Sequence, residues 1–269
     1  MRQEQYRKRW LRQHAQYERI AYKIFIKDFR DAANNIPFSS LTEDNYLPTT
    51  EKILSVEDMA QSYFKVYKEI GLIHGARVGK EINLQLKDFS LDAFISEFDK
   101  RLLSWLFGNS SYRITSVRKT FIAYIQQTMA FGLASGKSMS EIGTELQKLI
   151  NKPNFYRWQS LRIARTETTA AANYAATTSS KVSGVLMEKV WISSHDARTR
   201  RPPHSKYNHF TMNGVRVAED EKFDVNGDKL LFPGDPKGAE GNVINCRCSV
   251  AQVVKRDSNG NIIRTDRFN

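Results

Sequence analysis

The chain has 269 residues, of which 41% are hydrophobic and 26% charged, and it carries a formal net charge of +12. These values are typical of a soluble globular protein of about two domains, and no apolar run approaches the roughly 20 residues of a membrane span. The basic balance favours a polyanionic partner, and its spread over both halves argues against a detachable basic tail.

A single long helix is predicted from residue 1 to about residue 35. Apolar residues recur there at spacings of three and four between Trp10 and Ile24, and Asn34 and Pro37 end the pattern. Its first half is crowded with basic side chains, and the candidate DNA contacts among them are Arg7, Lys8, Arg9 and Arg12. The alternatives are a solvated face or an arm that packs on its own domain.

Further helices are predicted over residues 50–86, 90–108, 112–135 and 138–150. In the first of these, Gly71, Gly75 and Gly79 recur every four residues, which indicates a close crossing with another helix because glycine leaves room for a neighbouring backbone. Together with the first helix they predict a helical domain over residues 1–155.

Two helix ends in this region carry strong local signals. Gly136 fits the C-terminal cap of one helix, and Ser138 with Glu141 forms the capping-box pattern for the next. The stretch from Gly132 to Ser138 mimics a phosphate-binding loop, but its spacing is one residue short and it follows a helix instead of a strand. Helix capping is therefore the preferred interpretation.

The pattern changes after residue 155. A helix rich in small residues is predicted over residues 156–183, and we expect it to pack under the sheet that follows because small side chains allow close approach. Gly184 ends this helix, and period-two alternation then predicts a strand over residues 185–193.

Turn signals indicate a small, mostly antiparallel sheet in the rest of the chain. Asn213-Gly214 and Asn226-Gly227 predict hairpin turns, and a strand is predicted over residues 243–254, passing through both cysteines. The expected fold class is α+β, in which a mainly helical N-terminal part is followed by a small α+β domain over residues 156–269.

Chemically distinctive residues concentrate between Trp191 and Cys248. The stretch opens with WISSHDARTRRPPH and closes with PGDPKG and NCRC, and the helical phrase ARTET precedes it. The residues that carry these motifs are Arg165, Thr166, Glu167, Trp191, Asp196, Arg198, Arg200, His204, Asn245, Cys246 and Cys248. In this order and spacing the motifs resemble the phage head morphogenesis proteins of the SPP1 gp7 and Mu F type, over about residues 164–253.

The resemblance implies a minor capsid protein of a tailed bacteriophage, present in few copies in the head interior near the portal and in the host cytoplasm during assembly. It implies a role in head assembly and in DNA packaging or delivery. The implied partners are the portal protein, coat or scaffold protein, and double-stranded phage DNA bound without sequence preference. A scaffold that binds portal or coat protein and no DNA is an alternative.

One chemical interpretation of the motif residues is structural and electrostatic. Asp196 can accept hydrogen bonds from nearby backbone amides and fix its loop, and Asn245 can hold a neighbouring turn. Arg198, Arg200 and Arg201 offer forked donors to carboxylates or phosphates, which makes Arg200 and Arg201 further candidate DNA contacts. Glu167 is a candidate carboxylate partner for one of these arginines.

A second interpretation is a metal site. Cys246 and Cys248 are spaced to face the same way from a strand, and His204 or His209 could add a nitrogen ligand. Zinc accepts that ligand set. One Cys-x-Cys pair without a second paired half-site is a weak zinc signal, and two small buried thiols are the alternative. Zinc is thus the one cofactor that the sequence suggests.

A third interpretation is catalysis by a phosphate-directed enzyme, such as a nuclease or a toxin-like effector. Arg198 would bind phosphate and His204 would act as acid or base, with Glu167 completing the set. The spacing of these residues gives this interpretation no independent support, and a protein without catalytic activity is the favoured prediction.

Overall fold

The computed structural model describes residues 3–86 and 90–265. The first two residues of the first predicted helix and the last four residues of the second predicted domain lie outside the described residues. The helices are α1 (Gln3–Asn34), α2 (Tyr46–Thr50), α3 (Val56–Leu86), α4 (Leu91–Ala134), α5 (Met139–Ile150), α6 (Arg157–Val182) and α7 (Glu240–Val243). The strands are β1 (Met187–Ile192), β2 (Arg216–Ala218), β3 (Phe223–Val225), β4 (Asp228–Leu230) and β5 (Ser249–Val254). A helical N-terminal part followed by a small antiparallel sheet confirms the predicted α+β class.

Helix α1 confirms the first predicted helix and ends at Asn34, ahead of Pro37. One face of it is buried, from Tyr6 and Trp10 near its start to Phe29 near its end, and these side chains belong to the same apolar core as the sheet. The Tyr6 hydroxyl donates to the carbonyl of Val250 in β5 at 3.0 Å. The helix therefore packs on its own chain, which is one of the alternatives that the sequence left open.

Helix α3 begins at Val56, six residues later than the sequence predicted. Ser55 and Asp58 exchange hydrogen bonds of 3.0 Å between each backbone amide and the other side chain, which is the geometry of a capping box. The preceding residues form the separate short helix α2. A cap at Ser55 thus fixes where the long helix starts.

The glycine repeat of α3 lies at the predicted close crossing, and its partner is α4. A Cβ atom on Gly71 would lie 2.1 Å from the ring of Phe98, and one on Gly75 would lie 2.1 Å from the ring of Phe94. Both rings are fully buried. The absence of a side chain at these glycines is therefore what lets the phenylalanines of α4 reach the backbone of α3.

Helix α4 is continuous through Gly108, where the sequence predicted an end and a new start. No neighbouring atom lies within 4 Å of the Cβ position of Gly108, and Asn109 donates to the Trp105 carbonyl at 2.8 Å. A single glycine in a helix costs only about 1 kcal/mol relative to alanine, so the flanking turns carry the helix through it. The two predicted helices are one helix of 44 residues.

The two strong capping signals are confirmed. Gly136 follows α4 with a φ of +74°, and the backbone amide of Lys137 donates to the Gly132 carbonyl at 3.2 Å. Helix α5 then starts with a full capping box between Ser138 and Glu141. The stretch from Gly132 to Ser138, which mimics a phosphate-binding loop in sequence, is therefore the turn that connects α4 to α5.

Helix α6 is the buried centre of the fold. Its small residues pack against α1 on one side, α3 on another and β5 of the sheet, so the prediction that it lies under the sheet is confirmed. Ser179 reaches far enough to donate to the carbonyl of Gly75 in α3 at 2.9 Å. The strand order above it is β2-β1-β5, and both pairings are antiparallel.

Of the two predicted hairpin turns, one joins paired strands. Asn226 and Gly227 both have positive φ and connect β3 to β4, as a two-residue hairpin requires. Asn213 and Gly214 form a turn that leads into β2, but β2 pairs with the earlier strand β1. The residues just before that turn are irregular, so no hairpin forms there.

The last strand begins at Ser249, after both cysteines, where the sequence predicted a strand from residue 243. Residues up to Val243 form α7, and Asn245 has a φ of 59°, in the left-handed region. The Cys246 amide donates to the Val243 carbonyl at 3.1 Å. This turn breaks the strand pattern, and it places the two cysteines at the junction of helix, turn and sheet.

Candidate functional site

The loop after β1 is held by Asp196. Its carboxylate accepts hydrogen bonds from the Arg198 amide at 3.0 Å and from Arg247 Nη2 at 2.5 and 2.7 Å. Burial on its own would raise the pKa of Asp196, but the hydrogen bonds and positive charge of Arg247 lower it below its ordinary value. The carboxylate therefore stays ionised and fixes the arginine-rich loop in the way proposed from the sequence.

Arg247, the arginine of NCRC, was missing from the predicted site. Besides binding Asp196, its backbone carbonyl accepts a hydrogen bond of 2.7 Å from the indole of Trp10. The residue therefore joins α1 to the loop after β1. Its position between the two cysteines of the motif was the available signal.

Arg165 ties three parts of the chain together. Its guanidinium donates to the two carboxylate oxygens of Glu18 at 2.7 and 3.1 Å and to Asn245 Oδ1 at 3.4 Å. The neighbouring Thr166 hydroxyl accepts from the Asn245 amide at 2.9 Å. The helical ARTET phrase thus anchors both α1 and the NCRC turn.

Asn173, also absent from the prediction, is fully buried in α6 and uses both ends of its amide. Its Nδ2 donates to the carbonyls of Pro233 at 2.8 Å and Cys248 at 3.2 Å, and its Oδ1 accepts from the Val250 amide at 2.9 Å. Its amide thus supplies hydrogen-bond partners for buried backbone groups near the start of β5. An asparagine within an alanine-rich helix was a signal for such a role.

An arginine-lined cleft of about 570 Å³ lies between the loop after β1 and the NCRC turn. Arg200 lines it but donates to the backbone carbonyls of Gly241 and Ile244, so its guanidinium is held by the fold. Arg198, Arg201 and His204 are exposed. The cleft therefore presents cationic groups to solvent that could meet an anion.

The basic residues of α1 differ in how far their charges are neutralised. Lys8 pairs with Glu4 at 2.9 Å and Arg9 pairs with Glu81 at 2.8 Å, whereas Arg12 is exposed. Arg7 Nη1 lies 3.2 Å from Nδ1 of His195 in the loop that carries Asp196. The start of α1 is thus adjacent to the arginine-rich loop.

Glu167 pairs with Arg113 of α4 and not with an arginine of the loop after β1. The Glu167 carboxylate is buried, lies 3.3 and 3.4 Å from Arg113 Nη1, and accepts a hydrogen bond of 2.8 Å from the Tyr67 hydroxyl. It lines a different cavity from Arg198 and His204. The structure therefore does not assemble the catalytic set considered from the sequence.

Both cysteines are free, buried and directed at one histidine. Cys246 Sγ and Cys248 Sγ each lie 3.6 Å from Nδ1 of His209, and Trp191 packs edge-on against that imidazole. The structure thus selects His209 over His204 as the histidine beside the thiols.

The region that carries the motifs forms a helix-backed antiparallel sheet with an arginine-rich loop and the NCRC turn. Residues 123–251 match the family described as Phage Mu protein F like protein. The resemblance to the Mu F-like head morphogenesis family is therefore confirmed over that region, which runs from the second half of α4 into β5. None of the described helices has the length and apolar character that crossing a membrane requires.

Two curated relatives share part of the chain. One stretch of 150 residues is 31% identical to the NAD(+)--arginine ADP-ribosyltransferase EFV of Enterococcus faecalis, and covers 54% of this chain and 28% of that protein. Another of 156 residues is 25% identical to the uncharacterized protein YqbB of Bacillus subtilis, and covers 57% of this chain and 49% of that protein. The chain spans less than half the length of either relative. No solved structure matches it significantly.

Proposed function

We propose that this chain is a head morphogenesis protein of a tailed bacteriophage. It acts as a minor component of the head interior, associates with the portal and with coat or scaffold protein, and aids assembly and DNA packaging or delivery. The observation that carries the proposal is the match of residues 123–251 to the Phage Mu protein F like family. The basic charge of the chain supports a role beside DNA.

The DNA-contact part of the proposal rests on one face of the molecule. Arg198 and Arg201 are exposed on the arginine-lined cleft, and Arg7 reaches the same loop through His195. Asp196, the carboxylate of this loop, forms its ion pair with Arg247. Guanidinium groups placed this way suit phosphate oxygens, and contacts of this kind carry no sequence information.

Binding of a random-sequence DNA duplex, followed by fluorescence anisotropy across a series of salt concentrations, tests this surface. The native chain should bind at low salt and lose affinity steeply as salt rises. Replacing Arg7, Arg198 and Arg201 by alanine together should reduce the slope of log affinity against log salt by about 3, since each phosphate contact contributes about 0.9.

The matched control replaces three exposed lysines outside this face, Lys100, Lys119 and Lys255, by alanine and so makes the same change in net charge. The slope should then stay near that of the native chain. An equal loss in both variants would contradict a localised surface, and no binding at low salt would remove DNA from the proposed partners. Either result leaves the assembly role to be tested on phage heads.

No specific geometry favours the enzymatic alternative. Glu167 is held in a buried pair with Arg113, away from the cleft that Arg198 and His204 line. The similarity to an ADP-ribosyltransferase covers 28% of that protein, so its named activity is not part of the proposal for this chain.

A further inference from the structure

Three potential metal ligands, two thiol sulfurs and one imidazole nitrogen, converge in the core beside the NCRC turn. His209 Nδ1, Cys246 Sγ and Cys248 Sγ all lie within 4.8 Å of one another, and each of the three residues is at most 2% exposed. They come from separate parts of the chain, since His209 lies in the loop before β2 and the cysteines lie between α7 and β5. A thiolate–imidazole set of this kind is the chemistry that zinc prefers.

Hydrogen bonds outside this cluster fix the protonation of the imidazole. The Asp228 carboxylate lies 2.7 Å from Asn242 Nδ2, and a carboxylate only accepts, so the amide nitrogen of Asn242 must face it. Asn242 Oδ1 is then the atom 2.5 Å from His209 Nε2, and that nitrogen must carry the proton. In the neutral form of the ring, Nδ1 then has a lone pair, and this atom faces both thiols.

The separations within the cluster fit the geometry of a tetrahedral zinc site. Around a tetrahedral zinc, bonds of about 2.3 Å to sulfur and about 2.0–2.1 Å to nitrogen place sulfur and nitrogen about 3.6 Å apart. Both Sγ–Nδ1 distances are 3.6 Å. A cation placed between the three atoms could contact all of them at once.

We propose that His209 Nδ1, Cys246 Sγ and Cys248 Sγ bind one zinc ion, with Asn242 and Asp228 orienting the histidine. Among the described residues this cluster offers three ligands, which leaves a fourth position for water or another small donor. Hydrogen bonds to the second ring nitrogen of a histidine ligand fix the ring orientation and raise the basicity of the ligand in zinc sites. The bond from His209 Nε2 to Asn242, which Asp228 holds in turn, would have this role.

The proposed ion would stabilise the site already described. Arg247 lies between the two cysteine ligands, and its side chain and carbonyl hold Asp196 and Trp10. Zinc would thus fix the turn on which the arginine-rich loop and α1 depend. This role does not rest on the proposed head function, so either can fail without the other.

Elemental analysis of the purified full-length chain, refolded with added zinc and then dialysed, tests the proposal. About one zinc per chain is expected, with both thiols unreactive until a chelator is added. Cobalt(II) substitution should give the near-ultraviolet charge-transfer absorption of thiolate ligands. Less than a tenth of a zinc per chain, with thiols whose reactivity chelator does not change, would overturn the proposal.

Variants identify the ligands. His209→Ala should abolish stoichiometric binding, whereas the control His204→Ala, which alters an exposed histidine of the same loop region, should retain one zinc per chain. If His209→Ala does not fold, Asn242→Ala keeps all three ligands and should weaken zinc affinity about 10- to 100-fold. Retained zinc in a folded His209→Ala variant would contradict the assignment, and so would unchanged affinity in Asn242→Ala.

Discussion

The indole Nε1 of Trp10 donates a hydrogen bond of 2.7 Å to the backbone carbonyl of Arg247. It links the first helix to the centre of the NCRC turn across 237 positions of sequence. Trp10 is 1% exposed, and its bond to Arg247 is partly buried. The basic first helix is therefore an integral part of the fold, and its arginines are presented from a fixed position.

Trp10→Phe should lower the free energy of unfolding by about 1–3 kcal/mol, because it leaves the Arg247 carbonyl without its donor in a partly buried site. Urea unfolding measures the change. Trp158→Phe is the matched control, since Trp158 is 62% exposed and should show little effect. Equal stability of the two variants would show that the bond to Arg247 contributes nothing.

Glu167→Gln should destabilise the fold by about 3 kcal/mol or more, since it leaves the Arg113 guanidinium buried without a counter-charge. The same change at Glu145, which is exposed and pairs with Lys137, should cost less than about 1 kcal/mol. Thermal unfolding of the two variants compares them. A Glu167→Gln protein as stable as the native chain would contradict the structural role given to this pair.

The chain should lose stability as the pH is lowered from about 6.5 towards 3. Burial, together with the positive charge of nearby arginines, lowers the pKa of both His14 and His74 from 6.5 to about 3. Glu18 lies 3.7 Å from His14, but it is already bound by Arg165. In this window the unfolded chain binds protons that the folded chain does not, so each histidine adds a slope of up to about 1.4 kcal/mol per pH unit.

His74→Leu isolates one of these two contributions. Neither ring nitrogen of His74 has a hydrogen-bond partner among the described residues, so the substitution should remove about half of the pH slope and keep stability at neutral pH. His204→Ala, at an exposed histidine, should leave the slope unchanged. Urea titrations at several pH values give the slopes, and an unaltered slope in His74→Leu would refute the assignment.

Alanine substitutions at two helical glycines should change the stability of the chain in opposite directions. Gly75→Ala should destabilise the chain by about 1–3 kcal/mol, because the new methyl group would lie 2.1 Å from the buried Phe94 ring. Gly108→Ala should stabilise it by about 0.5–1 kcal/mol, because nothing lies within 4 Å and α4 continues through that residue. Loss of stability in Gly108→Ala would argue for a helix break there.

Local signals gave correct predictions at several places where one short segment determines the structure. The Ser138–Glu141 capping box, the left-handed Gly136 and the Asn226-Gly227 hairpin all depend on residues within a few positions of one another. The motif series identified the family for the same reason, since it is a pattern of letters along the chain. The α+β class followed from the change of period after residue 155.

Contacts between distant segments could not be predicted. Glu167 meets Arg113 because α4 and α6 pack side by side, and periodicity indicates which face is buried but not which helix covers it. His209 meets the cysteines only because the loop before β2 folds back onto the NCRC turn. The break before β5 was missed because the residues around Asn245 favour a strand, whereas Asn245 itself adopts a left-handed φ.

The central claim, that the chain is a component of a phage head, is tested most directly by quantitative mass spectrometry of purified heads. The heads would come from a host strain that carries the gene and would be separated from free protein on a density gradient. The account predicts peptides of this chain in the heads, at a few copies for every hundred or more of coat protein. Its complete absence from heads, with the chain present in the free fraction, would contradict the account.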